Sequence, residues 1–202
     1  MIKEEDFYYT IDRDAAVEFR DRGSRFIAYV CPLSSPSDFK IRLGEVKKEH
    51  PKATHHCFAY RIGLDGNQFR VSDDGEPSGS AGRPILGQID SRRLTDVLVI
   101  VVRYFGGTLL GIPGLINAYK SAASLALQVT PVVQRPIELP FSLSFDYTQV
   151  NEVMTILKKA HCTIIHREIQ LFSKLRIAVP KNRLEEVMFS LNNLRDVEIC
   201  PG

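Results

Sequence analysis

Leu139, Phe141, Leu143, Phe145 and Tyr147 alternate with Pro140, Ser142, Ser144 and Asp146, the period of two that marks a strand buried on one face. Val150, Val153, Met154 and Leu157 then recur at i, i+3, i+4 and i+7, one face of a helix, with Lys158 and Lys159 at the end its dipole favours. Strands follow around 162–170 and 174–179, where Leu175, Ile177 and Val179 alternate with Lys174 and Arg176. A second helix opens after Pro180 with Leu184, Val187, Met188 and Leu191 on one face, and 196–200 reads as a last short strand. The order βαββαβ is the ferredoxin-like arrangement, which hosts many functions and names none.

The first half mixes the same two periods. Segments 16–20 and 25–33 form a hairpin around Arg22-Gly23-Ser24. Ser35 or Ser37 caps a helix over 38–50 that stops before Pro51. Segments 55–64 and 68–72 flank the turn signal Asp65-Gly66-Asn67. A short helix over 83–94 leads to 97–105, so uniformly apolar that both of its faces should be covered. Pro113 opens a helix to Val129, with Asn117, Lys120, Ser121, Ser124 and Gln128 on one side and Leu115, Tyr119, Ala122 and Ala126 on the other. Between the halves, 129–140 carries Pro131, Pro136 and Pro140. Proline cannot continue a helix, so the expected domains are 1–135 and 136–202.

Composition narrows the classes. The chain has 202 residues with 26 basic and 24 acidic side chains, a net charge of +2, and no field that marks a nucleic-acid binder. The balance survives the division, since 136–202 holds 8 of each sign. The longest apolar run, Val97 to Val102, is far short of the ~20 residues that cross a bilayer. The opening residues Met1 to Phe7 carry no apolar signal core, so the expected location is cytoplasmic and no membrane is expected. Cys31, Cys57, Cys162 and Cys200 form no Cys-x-x-Cys pair and are expected to be reduced thiols.

Two glycine-bearing loops each run from a strand into a helix: Ser72-Asp-Asp-Gly-Glu-Pro-Ser-Gly-Ser-Ala-Gly-Arg-Pro84 and Arg103-Tyr-Phe-Gly-Gly-Thr-Leu-Leu-Gly-Ile-Pro-Gly-Leu115. Such loops either hold an anion on inward-turned N–H groups or simply pack a helix onto a sheet. Gly106-x-x-x-x-Gly111 is half of a P-loop, but Ile112-Pro113 stands where Lys-Ser/Thr is needed. Asp73, Asp74 and Glu76 are either oxygen ligands for a cation or, as favoured here, turn formers with their charges in water. His55 and His56 point to opposite faces of a strand, poor geometry for a metal clamp; His55 shares its face with Cys57. Ser78 or Ser80 as a nucleophile needs a base that His55 or His56 supplies only if the fold brings it there, and Gly-x-Ser-x-Gly is absent. Arg83 and Arg103 pair with a phosphate or, the preferred expectation, with carboxylates such as Asp73 and Asp74. No catalytic residue, metal or cofactor is assigned.

The blocks His55-His-Cys-Phe-Ala-Tyr-Arg-Ile-Gly63, Asp73-Asp-Gly-Glu-Pro-Ser-Gly-Ser-Ala-Gly-Arg-Pro-Ile-Leu86, Val101-Val-Arg-Tyr-Phe-Gly-Gly107 and Gly114-Leu-Ile-Asn-Ala-Tyr119 together resemble the IMPACT/YigZ family. The resemblance implies an α+β chain: a ribosomal protein S5 domain 2-like domain followed by the ferredoxin-like one, a pair similar to the last two domains of elongation factor G. It implies a role in translation, through RNA, the ribosome or a protein partner; eukaryotic members compete for the protein that activates an initiation-factor kinase. The shared surface maps onto His55, His56, Asp73, Asp74, Glu76, Ser78, Ser80, Arg83, Arg103, Tyr104, Gly106 and Gly107 as the expected ligand-binding residues. Leu110 stands where relatives commonly carry lysine, Asn117 where they carry arginine, and Pro113-Gly114 where they carry Gly-Gly. Phosphate contacts rely on such basic residues. The expected function is therefore a non-catalytic, translation-associated regulatory module. The competing expectation is a small phosphate-ligand binder or enzyme that uses the Gly/Ser-rich loops.

Overall fold

The computed structural model describes residues 6–202, so most of the opening segment read for a signal core lies outside the described residues. The chain divides into two units, Tyr9–Gln134 and Arg135–Gly202, the latter joined by residues 6–8. In chain order the elements begin with β1 (Phe7–Ile11), which starts in the smaller unit and ends in the larger, β2 (Ala15–Asp21), β3 (Ser24–Pro32) and α1 (Pro36–Glu49). Next come β4 (His55–Ile62), β5 (Gln68–Ser72), α2 (Gly82–Ser91), β6 (Val97–Tyr104), α3 (Gly111–Val129) and β7 (Val132–Pro136). Of the two serines expected to cap α1, Ser35 does so, its hydroxyl accepting from the Asp38 N–H with Pro36 in the first turn.

One antiparallel sheet in the order β2-β3-β6-β4-β5 organises this unit. Strand β6 lies at its centre, covered on both faces, which is why its apolar run has no alternation. Odd-numbered Val97, Val99 and Val101 pack with Phe26, Ala28, Cys57 and the inner faces of α2 and α3. Even-numbered Leu98, Ile100 and Val102 pack with Phe58, Tyr60 and with Phe39 and Val46 of α1. This is the S5 domain 2-like layer arrangement.

The smaller unit contains β8 (Glu138–Asp146), α4 (Val150–Lys159), β9 (Thr163–Glu168), β10 (Phe172–Pro180), α5 (Leu184–Asn192) and β11 (Val197–Pro201). Its sheet runs β11-β8-β10-β9, all antiparallel, and buries Leu143, Phe145, Leu175, Ile177 and Val179 against α4 and α5. The ferredoxin-like reading holds, and the chain is α+β.

Two strands went unread in the sequence. β1 and β7 form a two-stranded sheet of their own, although β7 falls within the proline-rich stretch. Proline is tolerated there because Pro136 closes the strand instead of interrupting a central ladder. No helix among the described residues is long and apolar enough to cross a membrane.

Candidate functional site

β5 and β6 are both antiparallel to β4, so they run parallel and end at the same edge of the sheet. Each continues through a glycine loop into a helix, and His55 opens β4 at that edge, in register with Arg103. Topology thus brings together groups far apart in the chain, Arg103 and Ser24 at 79 residues among them.

The first loop is anchored by Asp73. Its Oδ1 accepts from the N–H groups of Ala81 (3.0 Å) and Gly82 (2.8 Å), and its Oδ2 from Gly79 (2.8 Å). Ala81, the residue at the helix cap, offers no side-chain bond, so a carboxylate eight residues away caps α2. Burial opposes ionisation of Asp73, but these N–H donors and the Arg83 charge outweigh it and hold the carboxyl below its usual range. Gly82 has to be glycine, since a Cβ would stand 2.8 Å from the Ser72 backbone nitrogen.

Glu76 corrects the expectation that this carboxylate trio faces water. It is 8% exposed, and its Oε1 accepts from Arg103 Nη1 and from the Tyr119 hydroxyl, each at 2.7 Å. Two donors, one charged and one neutral, offset the cost of burying a carboxylate that would be unstable there alone. Arg103, 6% exposed, also donates to Ser24 Oγ at 3.4 Å; its Nε has no partner among the described residues. Its carboxylate partner is Glu76, not Asp73 or Asp74. Half-buried His55 donates from Nδ1 to the Asp74 carbonyl at 2.7 Å, which turns Nε2 toward Glu76 at 3.8 Å. Cys57 Sγ lies 3.3 Å from the Tyr119 hydroxyl and 3.0 Å from the Asp73 carbonyl, and burial pushes both the thiol and the phenol well above their ordinary pKa.

The other expected residues are not part of this cluster. His56 and Tyr104 lie on the opposite sheet face, toward α1. His56 donates from Nε2 to the His50 carbonyl (3.2 Å), and desolvation lowers its pKa. Its backbone N–H donates to Asp74 Oδ2 (2.7 Å), which ties the loop to the strand. The Tyr104 hydroxyl is 2.9 Å from His50 Nδ1, and Arg25 stacks over its ring at 4.5 Å. Ser80 is buried and donates to the Pro77 carbonyl, whereas Ser78 and Arg83 are exposed. No group of three or more His, Cys, Asp or Glu among the described residues is placed to hold a metal.

The second loop is built differently. Gly106 rests against the β2–β3 turn so closely that a Cβ would fall 1.9 Å from the Gly23 carbonyl carbon. Gly107 is exposed with φ +86°. From there the chain presents Phe105, Leu109 (84% exposed), Ile112 and Ile116 to the outside.

The model of the Impact N-terminal domain matches residues 22–127. The chain belongs to the IMPACT family. It is 34% identical to the IMPACT family member YigZ of Escherichia coli over 165 residues, 81% of each chain. It is 37% identical to the IMPACT family member YvyE of Bacillus subtilis over 153 residues, 76% of this chain and 70% of that one. A crystal structure of a hypothetical protein superposes with TM-score 0.80 at 29% identity, covering 98% of both chains. The IMPACT match spans both glycine loops and every expected site residue. Sequence reasoning placed Tyr119 in the core without a partner and missed Ser24. The signal for Tyr119 was available, because a tyrosine on the buried side of a helix needs a partner for its hydroxyl.

Proposed function

We propose that this IMPACT family chain is a non-catalytic, translation-associated regulatory module that docks on a protein component of the translation machinery. The docking face is the second glycine loop with the first turns of α3. Family membership supports the translation setting. The observation that carries the docking mode is that Phe105, Leu109, Ile112 and Ile116, close together in the chain, are all exposed, following an arginine whose charge is already neutralised inside. Exposed apolar residues in a group, unlike single ones, fit a protein interface. Basic residues that a phosphate backbone would need are missing from this stretch, where Leu110 and Asn117 stand.

The phosphate-binding alternative meets a physical obstacle. The N–H groups of Gly79, Ala81 and Gly82, which would cradle a phosphate at the start of α2, already donate to Asp73. An entering anion would have to displace a carboxylate held by three bonds.

Co-sedimentation with ribosomes tests the proposal. Binding through the apolar face persists at about 0.5 M salt, where screening is shorter than about 8 Å, and is lost in the variant Leu109→Asp/Ile112→Asp. Retention of binding by that variant would contradict the docking mode.

A further inference from the structure

Strand β2 is an edge of the five-stranded sheet, so one side of its backbone faces no neighbouring strand among the described residues. Folded proteins blunt such edges with bulges, prolines, lysines or short length, because unpaired N–H and C=O groups are a template for another strand. Edge strand β9 carries a register shift against β10, β11 ends on Pro201, and β5 has only five residues. β2 has none of these devices. Its seven residues contain no proline or lysine, and they pair with β3 without a shift, from Ala15 opposite Val30 to Asp21 opposite Ser24.

Alternation gives the two faces of β2 different characters. Val17 and Phe19 turn toward α3 and pack, half-buried, against the core. Phe19 also borders an open groove of about 490 Å³ that Asn117, Lys120, Ser121, Ser124 and Leu125 of α3 complete. Leu125 is left 38% exposed there. On the opposite face Ala16, Glu18 and Arg20 are exposed. Arg20 Nε donates to Glu18 at 2.7 Å, and Arg25 of β3 lies 3.9 Å from the same carboxylate.

These residues match a second copy of themselves. Two antiparallel edge strands related by a two-fold axis normal to the sheet keep both faces continuous only if one residue of the strand lies on the axis. With Glu18 or Arg20 there, like charges stand directly opposite, which is unfavourable. With Val17 there, Glu18 and Phe19 meet alanines. With Phe19 on the axis, the two rings lie side by side at the groove, and Glu18 stands opposite Arg20 of the second copy, twice over. The two internal Glu18–Arg20 pairs then join into a ring of four alternating charges. At the strand ends Asp21 meets the second copy's Val17.

We propose that β2 pairs with the β2 of a second copy in this register, so that two five-stranded sheets become one of ten strands. Backbone hydrogen bonds and the covering of Phe19 and Leu125 supply the attraction; the charges, individually weak at a surface, fix the register. The pairing uses none of the exposed apolar residues of 105–116, so this inference and the docking proposal fail separately.

Sedimentation equilibrium of the full chain across concentration tests it. The expected result is a reversible monomer–dimer equilibrium, with the amides of 15–21 exchanging more slowly as the dimer fills. Arg20→Glu and Glu18→Arg each turn two facing pairs into repulsions and weaken the dimer by about tenfold or more. An equimolar mixture of the two singly substituted chains restores it, as does Glu18→Arg/Arg20→Glu in one chain, because each sets opposite charges across the axis again. Both positions are exposed, and unchanged circular dichroism confirms that the variants fold. A chain that stays monomeric through the millimolar range would overturn the proposal. So would a dimer indifferent to both single substitutions, or one that the mixture fails to restore, since its contact lies elsewhere. A monomeric chain whose 15–21 amides gain protection only on ribosomes would give the edge to a different protein.

Discussion

The two glycine loops share a plan, strand to loop to helix at one sheet edge, and put it to opposite uses. In the 73–82 loop the polar groups turn inward: Asp73 caps α2, Asp74 holds the His56 N–H, and Glu76 joins Arg103 to Tyr119. In the 105–110 loop the backbone is pinned at Gly106 and the side chains turn outward, led by Leu109. Glycine content alone does not distinguish an anchor from a contact surface. What distinguishes them is where the donors and acceptors are satisfied.

That contrast can be broken by substitution, with effects that fall in order. Arg103→Ala leaves Glu76 buried with only the Tyr119 hydroxyl and half-buried His55 near its charge, so it is expected to cost about 3–5 kcal/mol in chemical denaturation; Glu76→Gln, which removes the charge but keeps an acceptor, costs less. Asp73→Ala strips three N–H groups of their acceptor and is expected to cost about 2 kcal/mol at neutral pH. Because the folded pKa of Asp73 lies below its unfolded value, its stabilisation is full above the unfolded pKa and disappears as pH falls through the folded one. The gap between wild type and Asp73→Ala therefore narrows in acid, and a constant gap would show that the bonds do not depend on the carboxylate charge. Gly106→Ala forces the β2–β3 turn and the second loop apart, for about 1–3 kcal/mol, measured as a lower melting temperature. Leu109→Ser closes the series with a change within about 0.5 kcal/mol, since an 84% exposed side chain supports little of the fold. A large loss of stability there would mean that the second loop is an anchor too.

The sequence exposed the parts of this molecule that rest on local pattern. Period two in 139–147 and the helical spacing of Val150, Val153 and Leu157 yielded the ferredoxin-like unit, and the unbroken apolar run of β6 announced a strand covered on both faces. β7 escaped because its burial does not alternate and its prolines read as a break. Within the site, the glycine loops were visible and their inward chemistry was not. Glu76 meets Arg103 across 27 residues of chain and Tyr119 across 43, so its burial follows from tertiary pairing that no local spacing encodes. His56 and Tyr104 show the converse: the family resemblance grouped them with the site, while pleating sends them to the other side of the sheet, as the alternation of His55 and His56 along the strand already implied.

Hydrogen exchange on the ribosome-bound chain tests the contrast between the loops most directly. Binding through the outward-facing loop predicts new protection over 105–116 and unchanged exchange over 73–82, where the amides of Asp74, Glu76 and 79–82 are already bonded internally. New protection over 73–82, with 105–116 exchanging as in the free chain, would contradict it.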